Sequence, residues 1–150
     1  MTVTRVVNGA LLPSPPEAVF AFVTTGANWV RWHPSSVAVR GQAAEPGVLG
    51  DKIEEDFLVA GRTGTVVWTV TEFSPPRRWV IDGVIVGRDV GGRVEYDLDT
   101  AGPHTRFERQ FSYQVPWRYI LADRLVVRRR VVRESAEAVR RLEELVATGI

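Results

Sequence analysis

After Pro116 nothing in the sequence breaks a helix until Gly149, so the region from about Trp117 to Ala147 reads as one long C-terminal helix. At 1.5 Å per residue it would run roughly 45 Å. Leu121, Leu125, Val132, Val139, Leu142 and Val146 recur at spacings of three, four and seven, flanked by Ile120, Val131 and Leu145. Such a stripe makes the helix amphipathic, and it must be buried against another element. The segment before it dictates which element that is. From residue 36 to 115 the chain reads as strands punctuated by turn chemistry at Pro46-Gly47, Gly61, Pro75-Pro76, Gly91-Gly92 and Gly102-Pro103. About six strands fit between these breaks, and their short connections require antiparallel pairing.

The clearest strand is 105–115, where Thr105, Phe107, Phe111, Tyr113 and Val115 alternate with Arg106, Glu108, Gln110, Ser112 and Gln114. Residues 93–99 repeat the pattern, with Val94, Tyr96 and Leu98 on the apolar face. One dry face and one wet face is the signature of an antiparallel sheet covered on one side, and helix on sheet is the economical architecture. At the N-terminus, residues 3–12 read as a first strand. Ser14 is placed as an N-cap, Pro15 at the first helical position and Glu17 to close a capping box, opening a short helix that carries Val19, Phe22 and Val23 and leaves at Gly26. Asn28 is placed to cap a second turn of helix bearing Trp29 and Trp32, which must stop before Pro34.

With 150 residues and 45% hydrophobic content, one domain spanning 1–150 is expected. A net charge of +1 gives the whole chain no electrostatic reason to bind nucleic acid or an anionic membrane. Only Lys52 among the 19 basic residues is lysine, which reads as genomic composition bias. The absence of cysteine excludes disulfides, thiolate nucleophiles and cysteine-ligated metals. Met1 to Val7 is not a basic stretch followed by an apolar run, and no apolar run reaches membrane-spanning length. A cytoplasmic, bacterial-type protein without membrane insertion is the default expectation, as monomer or homodimer.

The order of elements, together with Pro15-Pro16-Glu17-Ala18-Val19-Phe20, Trp29-Val30-Arg31-Trp32-His33-Pro34, Val70-Thr71-Glu72-Phe73-Ser74-Pro75-Pro76-Arg77-Arg78 and the helix end Arg141-Leu142-Glu143-Glu144-Leu145, resembles the START-like (helix-grip, Bet v 1-like) superfamily, and within it the polyketide cyclase/dehydrase branch. The resemblance covers nearly the whole chain. It implies an α+β helix-grip fold in which a curved antiparallel sheet of about seven strands wraps around the long C-terminal helix, with two short helices after the first strand. It also implies a cavity between sheet and helix for a small hydrophobic or aromatic molecule, lipid- or polyketide-like, and no cofactor. Some relatives guide ring closure and dehydration of a poly-β-keto chain, so a polyketide aromatase/cyclase or dehydratase is an alternative. A partner-binding module using an exposed apolar patch is another.

Polar residues on otherwise apolar faces are the candidates for chemistry, since a buried charge is costly unless paired or used. Arg109 shares parity with Phe107, Phe111 and Tyr113, Glu55 with Ile53, Phe57 and Val59, and Arg128 falls in the helical stripe between Leu125 and Val132. They line the cavity and bind or polarise a carbonyl or carboxylate, or else Glu55 and Arg109 form a structural ion pair or a bulge turns one outward. Tyr96 and Tyr113 each bring a hydroxyl to a dry face, and Trp68 supplies a flat wall; all three also suit plain core positions. Trp29 and Trp32 read as packing anchors, with Trp32 and His33 bordering the cavity mouth. In the catalytic alternative Arg109 or Arg128 stabilises an enolate, Tyr113 or Tyr96 donates a proton and Glu55 is the base. The ligand-binding set is therefore Trp32, His33, Glu55, Phe57, Trp68, Tyr96, Arg109, Phe111, Tyr113, Leu125 and Arg128.

His33 and His104, the only histidines, lie 71 positions apart without paired-ligand spacing, so no metal is expected. No glycine-rich loop opens a helix after a strand, which removes support for phosphate or dinucleotide binding. The run Arg128-Arg129-Arg130 with Arg133 is followed by acids in register, since Arg130 and Glu134, Arg133 and Glu137, Glu137 and Arg141, and Arg140 and Glu144 are each four apart, the pattern of a solvated, internally paired helix face rather than of a nucleic-acid site.

Overall fold

Seven strands form one antiparallel sheet in the order β1-β7-β6-β5-β4-β3-β2. They are β1 Thr2–Leu12, β2 Ser36–Gly41, β3 Lys52–Val59, β4 Arg62–Ser74, β5 Arg78–Ile85, β6 Gly91–Ala101 and β7 His104–Val115. The computed structural model describes residues Met1–Ile150. Consecutive strands from β2 to β7 pair with their neighbours, and β1 closes the far edge against β7, with Thr2 opposite Val115 and Leu12 opposite Thr105. Bulges between Ser36 and Ala38 and between Val70 and Glu72 shift the register and help the sheet curl.

Two short helices follow β1: α1 Pro16–Val23 and α2 Trp29–Trp32, joined by a tight turn at Gly26–Asn28. The expected capping box at Ser14 does not form. The helix starts one residue later, on Pro15 as an extended N-cap without a side-chain bond. Ser14 is spent on the sheet instead, its carbonyl accepting the Thr105 hydroxyl at 2.7 Å. Asn28 likewise makes no cap; its side-chain amide donates to the Phe22 carbonyl. Gly91 and Gly92 open β6 rather than forming a turn, because a Cβ at Gly91 would run into the Gly83 carbonyl oxygen of the paired strand.

The C-terminal helical run is not one uniform helix. A 3₁₀ turn at Trp117–Tyr119 leads into α3 Ile120–Ala122, a π-helical turn over Asp123–Val127, and then α4 Arg128–Ala147, 20 residues or roughly 30 Å long. The wider π turn shifts the 3.6-residue phase of Leu121 and Leu125 relative to the rest of the stripe, which lies in α4. Val131, Ser135, Ala138, Val139, Leu142 and Val146 are the buried face of α4, while Leu121, Leu125 and Val132 point to solvent. Following apolar side chains alone selects Val132, whereas the true line passes through the polar Ser135 to Val131. No helix is long and apolar enough to cross a membrane.

Packing differs between the two ends of the grip. At one end α1 and α2 drive Trp29 and Trp32 onto Trp79, Tyr96 and Phe107, whose rings meet at centroid distances of 5.3–6.4 Å. Trp79 is fully buried, donates to the Gly47 carbonyl at 2.8 Å and stacks on Tyr96 at 5.4 Å. At the other end lie the β3–β4 turn, the β5–β6 loop and the segment leaving β7. There the sheet and the helix do not close on each other.

A candidate ligand cavity with a buried arginine

The open end leads into a cavity of ≈ 630 Å³ between the concave face of the sheet and the helical run. That size falls in the usual range for small-molecule sites. Glycines help create it: a Cβ at Gly83 would lie 2.5 Å from the Trp68 ring, and one at Gly64 would lie 2.6 Å from the Phe57 ring. Both aromatic rings thus lie flat along the wall. Val66, Ile81, Ile85, Val94 and Phe111 extend the apolar lining from the sheet, and Val127, Val131 and Ala138 face them from the helix.

Strand parity carries Arg109 into this cavity from the middle of β7, directly opposite Tyr96 on β6. The residue is 6% exposed. Its Nη1 donates to Ser135 Oγ at a long 3.4 Å, its guanidinium carbon lies 5.5 Å from the centre of the Phe111 ring, and its Nε has no hydrogen-bond partner. No carboxylate comes within the 4.0 Å of an ion pair. Burial pulls the guanidinium below the ordinary arginine value, opposed by the neighbouring Tyr96 and Glu55. A guanidinium still remains a cation in a protein. A buried, under-bonded cation is costly unless a partner arrives to use it.

Glu55 reaches the same cavity from β3, but its oxygens are already engaged. The Ser36 hydroxyl donates to Oε2, and Trp68 Nε1 donates to Oε1 at 3.1 Å. Burial raises its pKa above the ordinary 4.5 despite those bonds. A folded-state value above the unfolded one means that this group's stability contribution is full below about pH 4.5 and declines as pH rises through the raised value. Glu55→Gln is therefore expected to gain on the wild type progressively from about pH 4.5 upward, measured as the difference in urea-unfolding free energy between pH 4 and 8. A constant difference over that range would show that Glu55 titrates as it does in the unfolded chain.

His33, at the end of α2, is buried with its Nε2 unpartnered, its ring 3.9 Å from that of Trp32. Burial first, and the Arg109 charge second, hold it well below the ordinary histidine value, so the ring is neutral at neutral pH. Tyr96 is buried in the aromatic cluster, which raises its pKa. Tyr113 is also raised, by burial and by Asp123, to which its hydroxyl donates at 2.5 Å. Thr4 donates to the other Asp123 oxygen at 3.0 Å. These bonds tie the π turn to β7 and β1.

Of the residues singled out in the sequence, His33, Glu55, Phe57, Trp68, Tyr96, Arg109, Phe111 and Tyr113 stand on the cavity wall. Trp32, Leu125 and Arg128 do not. Trp32 is fully enclosed behind His33 in the aromatic cluster. Leu125 and Arg128 are exposed instead, and Arg128 borders a separate recess of ≈ 170 Å³ with Arg5 and Arg124. Glu55 and Arg109 both face inward without forming an ion pair. Sequence reasoning misses Asp123, Glu134 and Ser135, which line the cavity from the helical run. A signal exists for the first: Asp123 is the only acidic side chain between Trp117 and Arg133.

The architecture is widely shared. The structure superposes on the ZhuI aromatase/cyclase from Streptomyces sp. R1128 with a TM-score of 0.74 at 13% identity, covering 97% of this chain and 94% of that one. TTHA0849 from Thermus thermophilus gives 0.73 at 15% identity, covering 97% and 98%. Ara h 8.0201 gives 0.70 at 15% identity, covering 99% and 100%. At these identities the likeness concerns the fold, which is the helix grip of the START-like superfamily. No protein of curated function matches the chain in sequence. The family model described as polyketide cyclase/dehydrase and lipid transport matches residues 3–147, and the chain belongs to that family.

Proposed function

We propose that the protein binds a small, largely apolar or aromatic molecule in the cavity and anchors one acceptor or anionic oxygen of that molecule on Arg109. The observation that carries this reading is a buried cation facing an apolar cavity without a carboxylate partner and with an idle Nε. An incoming carbonyl, phenolate or carboxylate gives the guanidinium's outer nitrogens a partner, and a charge-assisted bond in a dry site is among the stronger ones available. Phe57, Trp68 and Phe111 offer flat surfaces to a planar ligand. Titration with aromatic polyketides such as emodin, with flavonoids such as naringenin, and with fatty acids is expected to raise the melting temperature for at least one class. No shift with any of them would defeat the proposal.

A cyclase or dehydratase acting on a poly-β-keto chain is the second reading, favoured by the neutral, unpartnered Nε2 of His33 in the same cavity as Arg109. Arg109 would polarise a carbonyl and His33 would take the proton. Glu55 and Tyr113 suit that chemistry less, because their oxygens are held by Ser36, Trp68 and Asp123. The product profile of a reactive poly-β-keto substrate separates the two readings. A binding protein leaves it unchanged, and an enzyme changes it in a way that Arg109→Ala abolishes.

A further inference from the structure

Three segments ring the mouth of the cavity: the β3–β4 turn at Ala60-Gly61, the β5–β6 loop around Val86–Arg88, and the helical stretch from Tyr119 to Val127. The last has two faces. Its inner face, at Ala122, Asp123 and Val127, lines the cavity. On its outer face Leu121 and Leu125 are 70% and 55% exposed, and Trp117, in the turn that leads into it, is 70% exposed.

Charge on this face has one sign. Arg118, Arg124, Arg128 and Arg129 are exposed among the apolar side chains, and none has a carboxylate within 4.0 Å. The expected Arg130–Glu134 and Arg133–Glu137 pairs do not form either; the helix's ion pairs lie further on, between Arg140 or Arg141 and Glu137 or Glu144. The one acid of the stretch, Asp123, is turned inward onto Tyr113 and Thr4. Across the mouth the rim adds Arg62 and Arg88, with Asp89 as the acid beside them. A cluster of large apolar side chains among unpaired guanidiniums is the composition that settles into an anionic lipid interface, with apolar groups in the acyl boundary and cations on the phosphates.

We propose that this face docks on an anionic bilayer surface. Its position around the cavity mouth favours a bilayer over an acidic protein, because docking there sets an apolar cavity against hydrocarbon. An apolar ligand then passes between the two without crossing water. Only the passage of ligand rests on the ligand-binding reading. Docking is tested with ligand-free protein and empty vesicles, so the two can fail separately.

Trp117 is a built-in probe, since the other four tryptophans, Trp29, Trp32, Trp68 and Trp79, are buried. Vesicles of phosphatidylcholine with about 30% phosphatidylglycerol are expected to float the wild-type protein and shift its emission to the blue, and pure phosphatidylcholine to do so far more weakly. Raising the salt to about 0.5 M should release it. The double variant Arg124→Glu/Arg128→Glu should lower partitioning about tenfold or more, and Leu121→Ser/Leu125→Ser should also weaken it. All four positions are exposed, so melting temperatures should stay near the wild type's, and Trp117→Phe should abolish the blue shift. Equal binding to both vesicle types, binding unaffected by either double variant, or no binding would overturn the proposal. Retention on poly-glutamate without vesicle binding would overturn it in favour of an acidic protein partner.

Discussion

Arg109→Met is expected to leave the ligand-free protein as stable as the wild type or more so, and to weaken binding of the tightest probe by roughly 30- to 100-fold. Both halves follow from one geometry. Methionine fills a similar volume, removes a buried cation that lacks a carboxylate partner, and leaves Phe111 and Ala138 in apolar surroundings. The lost charge-assisted hydrogen bond to the ligand is worth about 2–3 kcal/mol, which sets the loss of affinity. Arg109→Lys keeps the charge but not the planar donor fork and should fall between the two. Calorimetric titration with emodin, alongside thermal melts of each variant, checks this. A guanidinium that merely ties β7 to α4 through Ser135 would give the reverse: a lower melting temperature and unchanged affinity.

Trp79→Ala should be the most destabilising single change outside the cavity wall. The side chain is fully buried, stacks on Tyr96, meets Trp29 edge-on at 6.2 Å and donates to the Gly47 carbonyl. Removing a large aromatic from such a site costs about 3–5 kcal/mol, and the orphaned carbonyl adds to it. For a chain of this size a loss of about 4 kcal/mol lowers the melting temperature by roughly 10–15 °C. Trp79→Phe, which keeps the stack and loses the hydrogen bond, should recover most of that. If Trp79→Ala melted within a few degrees of the wild type, the packed end of the grip would not be what holds the sheet to α1 and α2.

Strand alternation is a local property, and the parts of the fold that depend on it are readable residue by residue. Val94, Tyr96 and Leu98 are buried between less buried neighbours, and Phe107 and Arg109 face the same way. Glu55 and Arg109 can be found because each breaks an apolar face whose parity is already set. The helix is different. Its face before α4 depends on a π turn, and nothing in the spacing of Leu121 and Leu125 reveals an additional residue in one turn. The resulting phase error puts Leu125 on the wrong side; Ser135 is left out because it is polar, and nothing in the spacing tells that α4 is still exposed at Arg128. Trp32 is misplaced for another reason: strand and helix pattern say that it is buried, but not whether it faces the void or the cluster behind it. The cationic rim is hidden by averaging, because a net charge of +1 conceals arginines gathered at one end and acids paired elsewhere, as in Arg78 with Glu72, Glu95 and Asp97.

On the proposed function, the space between sheet and helix is a binding site oriented by Arg109. A crystal structure of the protein grown with its tightest probe tests it most directly. Electron density for the probe is expected within the cavity, its planar part against Trp68, Phe57 or Phe111 and an oxygen within hydrogen-bonding distance of the Arg109 guanidinium. A cavity closed by its own side chains, or a probe bound with its polar group turned away from Arg109, would contradict it.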